Sequence, residues 1–318
     1  MTVATKKKSF RRYAPGRRVG EDLTLIEAIA NARGRHPVYI GWHHTAWASV
    51  VAKVFRTLDD AERELAALKA CAHPSVVQAF GTYKPDFLLM EFLEGDTLRY
   101  ELRNSRDGRM SIGDALRTVV PLGAALAKAH TAGYLHMDVK PENVMVVGER
   151  PVLFDFGAAR RIDGRRPSRP QGTAAYASPE EHAAQPAGAP ADVYSLGVVL
   201  YELLTGRLPF GGDGKAAFRG SVRSYRPRVS AKLDAWVQAC LAPDPAERPP
   251  LVDLLPALNG LIPSGPRMWP TELEPKLRAR AGSKARRAEM ACRLLPAAEN
   301  PEASRLWTVA GKSECLAA

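Results

Sequence analysis

Between His136 and Asn143 the chain reads His-Met-Asp-Val-Lys-Pro-Glu-Asn, and Asp155-Phe156-Gly157 follows shortly after. The run sets a carboxylate (Asp138), an amine (Lys140) and an amide (Asn143) close together, and Asp155 adds a second carboxylate. Such a group can hold a hydroxyl, Mg²⁺ and a triphosphate at once. Phosphoryl transfer asks little covalent chemistry of a protein; it asks that the phosphate, the metal and the attacking oxygen be aligned and their charge neutralised. Asp138 is the candidate acceptor of a hydroxyl proton, and Lys140 the candidate stabiliser of charge on the moving phosphate. Asn143 and Asp155 offer the oxygen ligands a hard cation prefers. One aspartate alone is usually a turn or cap residue; the ordered set points to chemistry.

The elements that must position these residues are readable from periodicity. Residues 24–30 and 38–42 are strand candidates joined by a polar turn, and residues 49–55, Ser-Val-Val-Ala-Lys-Val-Phe, read as a third strand. A helix is expected from about Leu58 to Ala72, with Leu58, Ala61, Leu65, Leu68 and Cys71 forming one apolar face. His73-Pro74 ends it, since proline disfavours helix in the residue before it. Residues 87–93 return as a buried strand. Beyond about Asp96 the pattern turns helical. Ser111 and Asp114 resemble a capping box opening a helix to about Ala132, with a kink or bulge expected at Pro121. Residues 191–205 are nearly all apolar, which predicts a helix buried on every side.

At 318 residues the chain exceeds what one hydrophobic core usually serves, so two lobes or a domain with tails is expected. Hydrophobic residues make up 46% and charged residues 25%, values of a globular chain. The net charge of +11 concentrates in two runs, Lys6 to Arg18 and Lys276 to Arg287. Each is expected to be a solvated arm; an acidic partner, an anionic membrane or nucleic acid is the alternative. The four cysteines are scattered, which argues for reduced thiols and a cytoplasmic setting rather than zinc or disulfides. No apolar stretch reads as a signal peptide or a transmembrane helix.

The Asp138 run and Asp155-Phe156-Gly157 resemble the catalytic loop and metal motif of eukaryotic-like (Hanks-type) Ser/Thr protein kinases in their bacterial form. Residues 172–180, Gly-Thr-Ala-Ala-Tyr-Ala-Ser-Pro-Glu, resemble the end of that family's activation segment, and residues from Asp192 its central helix, with Tyr194 for the usual tryptophan. Arg248 stands where the family pairs an arginine with Glu180. The resemblance covers about residues 21–262 and implies an α+β, bilobal protein-kinase-like fold. A small β-rich lobe with one helix (about 21–92) precedes a larger, mostly helical lobe (about 93–262). Residues 1–20 are left as a basic arm and residues 263–318 as a Pro-, Ala- and Arg-rich extension, with one helix conceivable over 276–295.

By the same resemblance, Lys53 holds the α- and β-phosphates of ATP. Periodicity does not choose between Glu62 and Glu64 as its partner; the family's spacing favours Glu64. Val38, Val51, Met90 and Met145 would surround the adenine, and the backbone of Glu91 and Leu93 would bond its edge. The implied cofactors are ATP and Mg²⁺, or Mn²⁺ in its place. Lys140 and Thr173 follow the Ser/Thr version of the motif, so the implied acceptor is a Ser or Thr hydroxyl of a protein substrate. Glu142 can attract basic substrate side chains in this family.

Three departures stand out. The glycines of the phosphate-covering loop map to Asn31, Arg33 and His36; Gly34 alone survives nearby, and side chains there should hinder close approach to phosphate. Arg33 or His36 could touch phosphate instead, or the loop could be a plain hairpin. Val51 replaces the usual alanine, which stands one place later at Ala52. Met137 replaces the arginine that binds a phosphorylated activation segment, making this a non-RD sequence. Phosphorylation of Ser168 or Thr173 is then not expected to act through that pocket. These departures leave a second expectation, a pseudokinase or scaffold that binds partners with little catalysis.

Overall fold

A computed structural model describes residues 10–29, 36–163, 172–214 and 217–263. The loop residues Asn31, Arg33 and Gly34, the candidate phosphosite Ser168, residues 6–8 of the first basic run and the whole region 264–318 lie outside these residues. The chain divides into two compact units, one comprising residues up to 65 and residues 79–92, the other residues 66–78 and 93–263.

The first unit is an antiparallel sheet of six strands: β1 (Arg18–Val19), β2 (Leu23–Ala28), β3 (Val38–His43), β4 (Ala48–Val54), β5 (Ala79–Tyr83) and β6 (Phe87–Glu91), in the order β1-β2-β3-β4-β6-β5. Alternation sends Leu23, Leu25, Tyr39, Val50, Ala52, Val54, Phe87 and Leu89 into one apolar cluster. Of the basic arm expected over residues 1–20, the described part, residues 10–20, packs on this unit. Val19 is buried in that cluster and Tyr13 packs against it, with the Tyr13 ring 5.2 Å from Phe87 and its N–H donating to the Tyr39 hydroxyl at 2.8 Å. Apolar side chains placed among the arginines belong to the core, so residues from about Phe10 onward are part of the unit. Helix α1 (Leu58–Ala70) begins here, with Ala61 and Glu64 buried and Glu62 exposed.

The second unit is built on α5 (Ala189–Thr205), in which every residue from Ala191 to Thr205 is buried. Against it pack α3 (Ile112–Thr131) and α7 (Ala231–Cys240), with α8 (Leu251–Asn259) on α3. Ser111 caps α3 by accepting the Asp114 N–H at 3.0 Å, and the helix continues through Pro121 without a break in its assignment. The smaller elements are α2 (Leu98–Asn104), α4 (Pro179–His182) and α6 (Val222–Tyr225). Strands β7 (Asp96–Thr97), β9 (Val144–Val147) and β10 (Arg150–Leu153) form one small sheet, and β8 (Tyr134–Leu135) pairs with β11 (Arg160–Arg161). No described helix is long and apolar enough to cross a membrane.

Candidate active site

The sequence-predicted residues fall into two sets, one in each unit. In the first, Val38 lies directly opposite Lys53, and Val51 opposite Met90, across the β3–β4 and β4–β6 ladders. Opposed residues share a face, so Val38, Val51, Lys53 and Met90 line the side of the sheet away from its apolar cluster. Ala52 points into that cluster and is fully buried. The shift of alanine by one place therefore puts valine, not alanine, beside Lys53. Glu91 closes β6, and Leu93 follows in irregular chain; both are half-buried.

Lys53 is buried at 5% exposure and Glu64 at 6%. The Lys53 ammonium donates to both carboxylate oxygens of Glu64, at 2.8 and 2.9 Å. The choice that periodicity left open is thus made by packing, since Glu62 faces solvent. A buried ion pair costs desolvation and is a poor device for stability alone. His36 has its ring 4.6 Å from Phe10 and 4.7 Å from Phe55, and Nδ1 bonds the Val54 carbonyl at 3.0 Å.

In the second unit the catalytic run is assembled around Asp138. Its Oδ2 accepts from Lys140 Nζ at 2.7 Å and Asn143 Nδ2 at 2.9 Å, and its Oδ1 accepts the Thr173 hydroxyl at 2.9 Å. Lys140 also donates to Thr173 Oγ1 at 2.5 Å. The carboxylate is thereby fixed in direction by three side chains from two segments far apart in sequence. Asn143 spends its amide hydrogens on the side chain and carbonyl of Asp138, which turns its amide oxygen elsewhere. That oxygen and the Asp155 carboxylate make a donor set of the hard kind that suits Mg²⁺. Asp155 holds a left-handed backbone (φ 61°) and accepts the Gly157 N–H at 3.3 Å. It sits between Phe154, whose N–H donates to the Asn143 carbonyl at 2.9 Å, and Phe156, whose ring lies 4.7 Å from His136. Met145, in β9, pairs with Val152 and Thr97 and is half-buried.

What aims the run is a residue that sequence reading assigned only to the central helix. Asp192 of α5 is fully buried. Its carboxylate accepts the backbone N–H groups of His136 and Met137, each at 2.9 Å, and bonds His130 Nε2 at 2.8 Å. Burial by itself would raise its pKa, but those bonds, led by His130, hold the carboxyl below the usual range. Met137 takes a left-handed backbone (φ 66°) and is buried. Such a conformation is costly for a non-glycine residue and persists only where its surroundings impose it; here the bond to Asp192 does so. His136 is buried, and burial lowers its pKa, so it stays neutral while Nδ1 accepts the Asp138 N–H at 3.3 Å.

The end of the segment after Asp155 is anchored as expected. Arg248 grips Glu180 with two bonds, 2.7 and 2.8 Å, and bonds the carbonyls of Pro190, Pro243 and Ala242. Its guanidinium lies 4.9 Å from the centre of the Tyr194 ring. Glu142 is taken by Arg99, which bonds it at 2.7 Å and also reaches Glu202 at 2.8 Å and the Tyr176 hydroxyl. No sequence signal pointed to this quartet, because its members lie far apart in sequence.

Residues 38–257 match the family model of the protein kinase domain. The chain belongs to the protein kinase family. This kinase domain is 34% identical to the serine/threonine-protein kinase PknB of Mycobacterium tuberculosis over 232 residues, 65% of this chain and 37% of that protein. PknB of Mycobacterium leprae matches at 34% over 231 residues, with the same two shares. The chain thus spans a little over a third of the length of these curated relatives. In fold, it resembles the crystal structure of the Mycobacterium tuberculosis PknI kinase domain, with a TM-score of 0.62 over 78% of this chain and 99% of that one, at 23% identity. The sheet-rich first unit and helical second unit are accordingly the small and large lobes of a kinase-like α+β fold.

Proposed function

We propose that this chain is an ATP-dependent Ser/Thr protein kinase. The observation that carries this reading is the Asp138 carboxylate held by Lys140, Asn143 and Thr173. Asp138 accepts the proton of a Ser or Thr hydroxyl as that oxygen attacks the γ-phosphate. Lys140 neutralises charge on the transferring group, while Lys53, aligned by Glu64, holds the α- and β-phosphates. Val38, Val51, Met90 and Met145 enclose the base, and the backbone of Glu91 and Leu93 bonds its edge. Asn143 and Asp155 hold Mg²⁺, or Mn²⁺ in its place, which when bound neutralises phosphate charge. The names and identities of the relatives support the Ser/Thr assignment. Among the described residues Cys71 and Cys240 are free, which supports a reducing, cytoplasmic setting for this part of the chain.

The regulatory reading is that activity is not switched through an arginine at position 137. Thr173 supports it, because its hydroxyl is committed to Asp138 and Lys140 and serves as a positioning group. Ser168→Ala is expected to keep wild-type initial rates. A loss of activity restored by Ser168→Asp sinks the regulatory reading while leaving the catalytic one intact.

The test of the activity is transfer of label from γ-labelled ATP with Mg²⁺ to a generic protein acceptor. Asp138→Asn should lower the rate by about 10²–10⁴-fold, the usual contribution of a general base. Equal labelling by the two proteins, or none by either despite ATP binding, overturns the assignment and leaves a nucleotide-binding scaffold.

A further inference from the structure

The large lobe gathers arginines at one place and withholds carboxylates from most of them. The turn at Arg106–Gly108 lies against the end of α5: the Met110 N–H donates to the Leu203 carbonyl at 2.8 Å. Gly206, with φ 72°, lies so close that a Cβ there would meet the Gly108 carbonyl at 2.8 Å. The Arg226 guanidinium, just beyond α6, donates to the carbonyls of Met110 at 2.7 Å and Leu204 at 3.4 Å. Arg207 lies 5.2 Å from the centre of the Tyr225 ring, and the Tyr225 hydroxyl donates to the Arg219 carbonyl at 2.7 Å. Arg109, Arg207, Arg219 and Arg226 are thus brought together from three stretches of chain, and Arg223 and Arg228 are exposed beside Arg226 in sequence.

Arg63–Asp60, Arg99–Glu202, Arg117–Asp114, Arg161–Asp163 and Arg248–Glu180 show arginines of this protein paired with acids. Here only Arg109 has such a partner, Asp107 at 3.2 Å. Among the described residues no carboxylate lies within ion-pair distance of Arg207, Arg219, Arg223, Arg226 or Arg228. The nearby Asp234 is buried and spent on the Val222 N–H and Gln238. Carbonyls and an aromatic ring orient a guanidinium without neutralising it, so the cluster keeps its positive field in a fixed arrangement. Burial, with the like charge of Arg109 adding to it, lowers the Arg226 pKa.

We propose that this arginine cluster is a docking surface for an acidic segment, rich in Asp and Glu, of the protein substrate or a partner protein. The inference rests on the kinase reading for the word substrate, but not for the binding itself. Guanidinium forks match carboxylates two bonds at a time. Arg207 covers one face of the Tyr225 ring and competes there with the base stacking that single-stranded nucleic acid uses, which favours protein over nucleic acid. The acids Glu142 and Glu202 are occupied by Arg99, which leaves basic segments less to bind.

The experiment is fluorescence anisotropy of the full chain with a labelled 12-residue Glu/Asp peptide at low and high salt. The double variant Arg207→Ser/Arg223→Ser serves as control; both side chains are exposed and neither supports the fold through a hydrogen bond. Binding that weakens at least tenfold in the double variant, falls with salt, and leaves the thermal midpoint unchanged supports the proposal. Fusing the peptide to a phosphorylated acceptor should then lower KM in the wild type but not in the variant, with kcat unchanged in both. Binding without any phosphorylation keeps the docking surface and removes the kinase reading. Absence of binding at low salt, binding indifferent to the double variant, or tighter binding to single-stranded DNA or phosphatidylserine vesicles overturns the proposal.

Discussion

Glu181 follows the arginine-anchored Glu180 and is buried at 6% exposure. One of its carboxylate oxygens accepts from the Ser178 N–H and hydroxyl, at 2.9 and 2.8 Å, while the other has no hydrogen-bond partner. Burial pushes its pKa up to about 7, against 4.5 for an unburied glutamate. The native state therefore holds a proton that the unfolded chain releases, so the stability Glu181 lends below about pH 4.5 is lost as pH rises through about 7. Glu181→Gln keeps the acceptor and removes the titration. At pH 8 it should be more stable than the wild type by up to about 3 kcal/mol, with the gap closing toward pH 4.5. Urea midpoints of the two proteins across pH check this; parallel pH profiles contradict it. Glu181 was not singled out from sequence, because an acid near a helix start is ordinarily an exposed cap. Asp192 escaped for a related reason: its partners are backbone N–H groups more than fifty residues away, which no local pattern displays.

At the level of elements, the catalytic run and the end of the segment after Asp155 are interlocked at one glycine. Gly172 holds φ 85°, and a Cβ on it would lie 2.4 Å from the Met137 carbonyl and 3.4 Å from Asp138 Oδ1. Thr173, next in the chain, supplies the hydroxyl that Asp138 and Lys140 share. Gly172→Ala should force the segment away from Asp138 and lower kcat by at least about tenfold, the order of loss that displacing positioning groups by an ångström brings. The thermal midpoint should move by less than about 5 °C, since a shift of that size reports about 1–2 kcal/mol in a domain of this size. An unchanged kcat would show that the two segments are not coupled this way. Most elements were legible beforehand, including the fully buried α5 and the Ser111-capped α3. A kink or bulge was expected at Pro121; that residue lies inside α3, which spans Ile112–Thr131 as one helix.

For the molecule as a whole, nucleotide binding and catalysis should separate. A ligand that binds only the folded state at a hundred times its Kd adds about 2.7 kcal/mol. Saturating Mg-ATP should therefore raise the melting temperature of the wild type and of Asp138→Asn by several degrees. Lys53→Ala should show no rise, because it removes the phosphate-binding cation and leaves Glu64 buried without it. A rise in Lys53→Ala equal to the wild type's would detach Lys53 from nucleotide binding. The sequence by itself determined the chemical inventory, since Asp138, Lys140, Asn143 and Asp155 are close in the chain and their types dictate what they can bind. It also determined the strands and helices, which rest on local periodicity. The tertiary structure decided what depends on distant contacts. It chose Glu64 over Glu62, packed residues from about Phe10 against the sheet, let Asp192 fix the catalytic run, and left a group of arginines with no acid among the described residues in ion-pair reach. Each of these is settled by which side chains share a buried space, and that is a property of the folded chain rather than of any stretch within it.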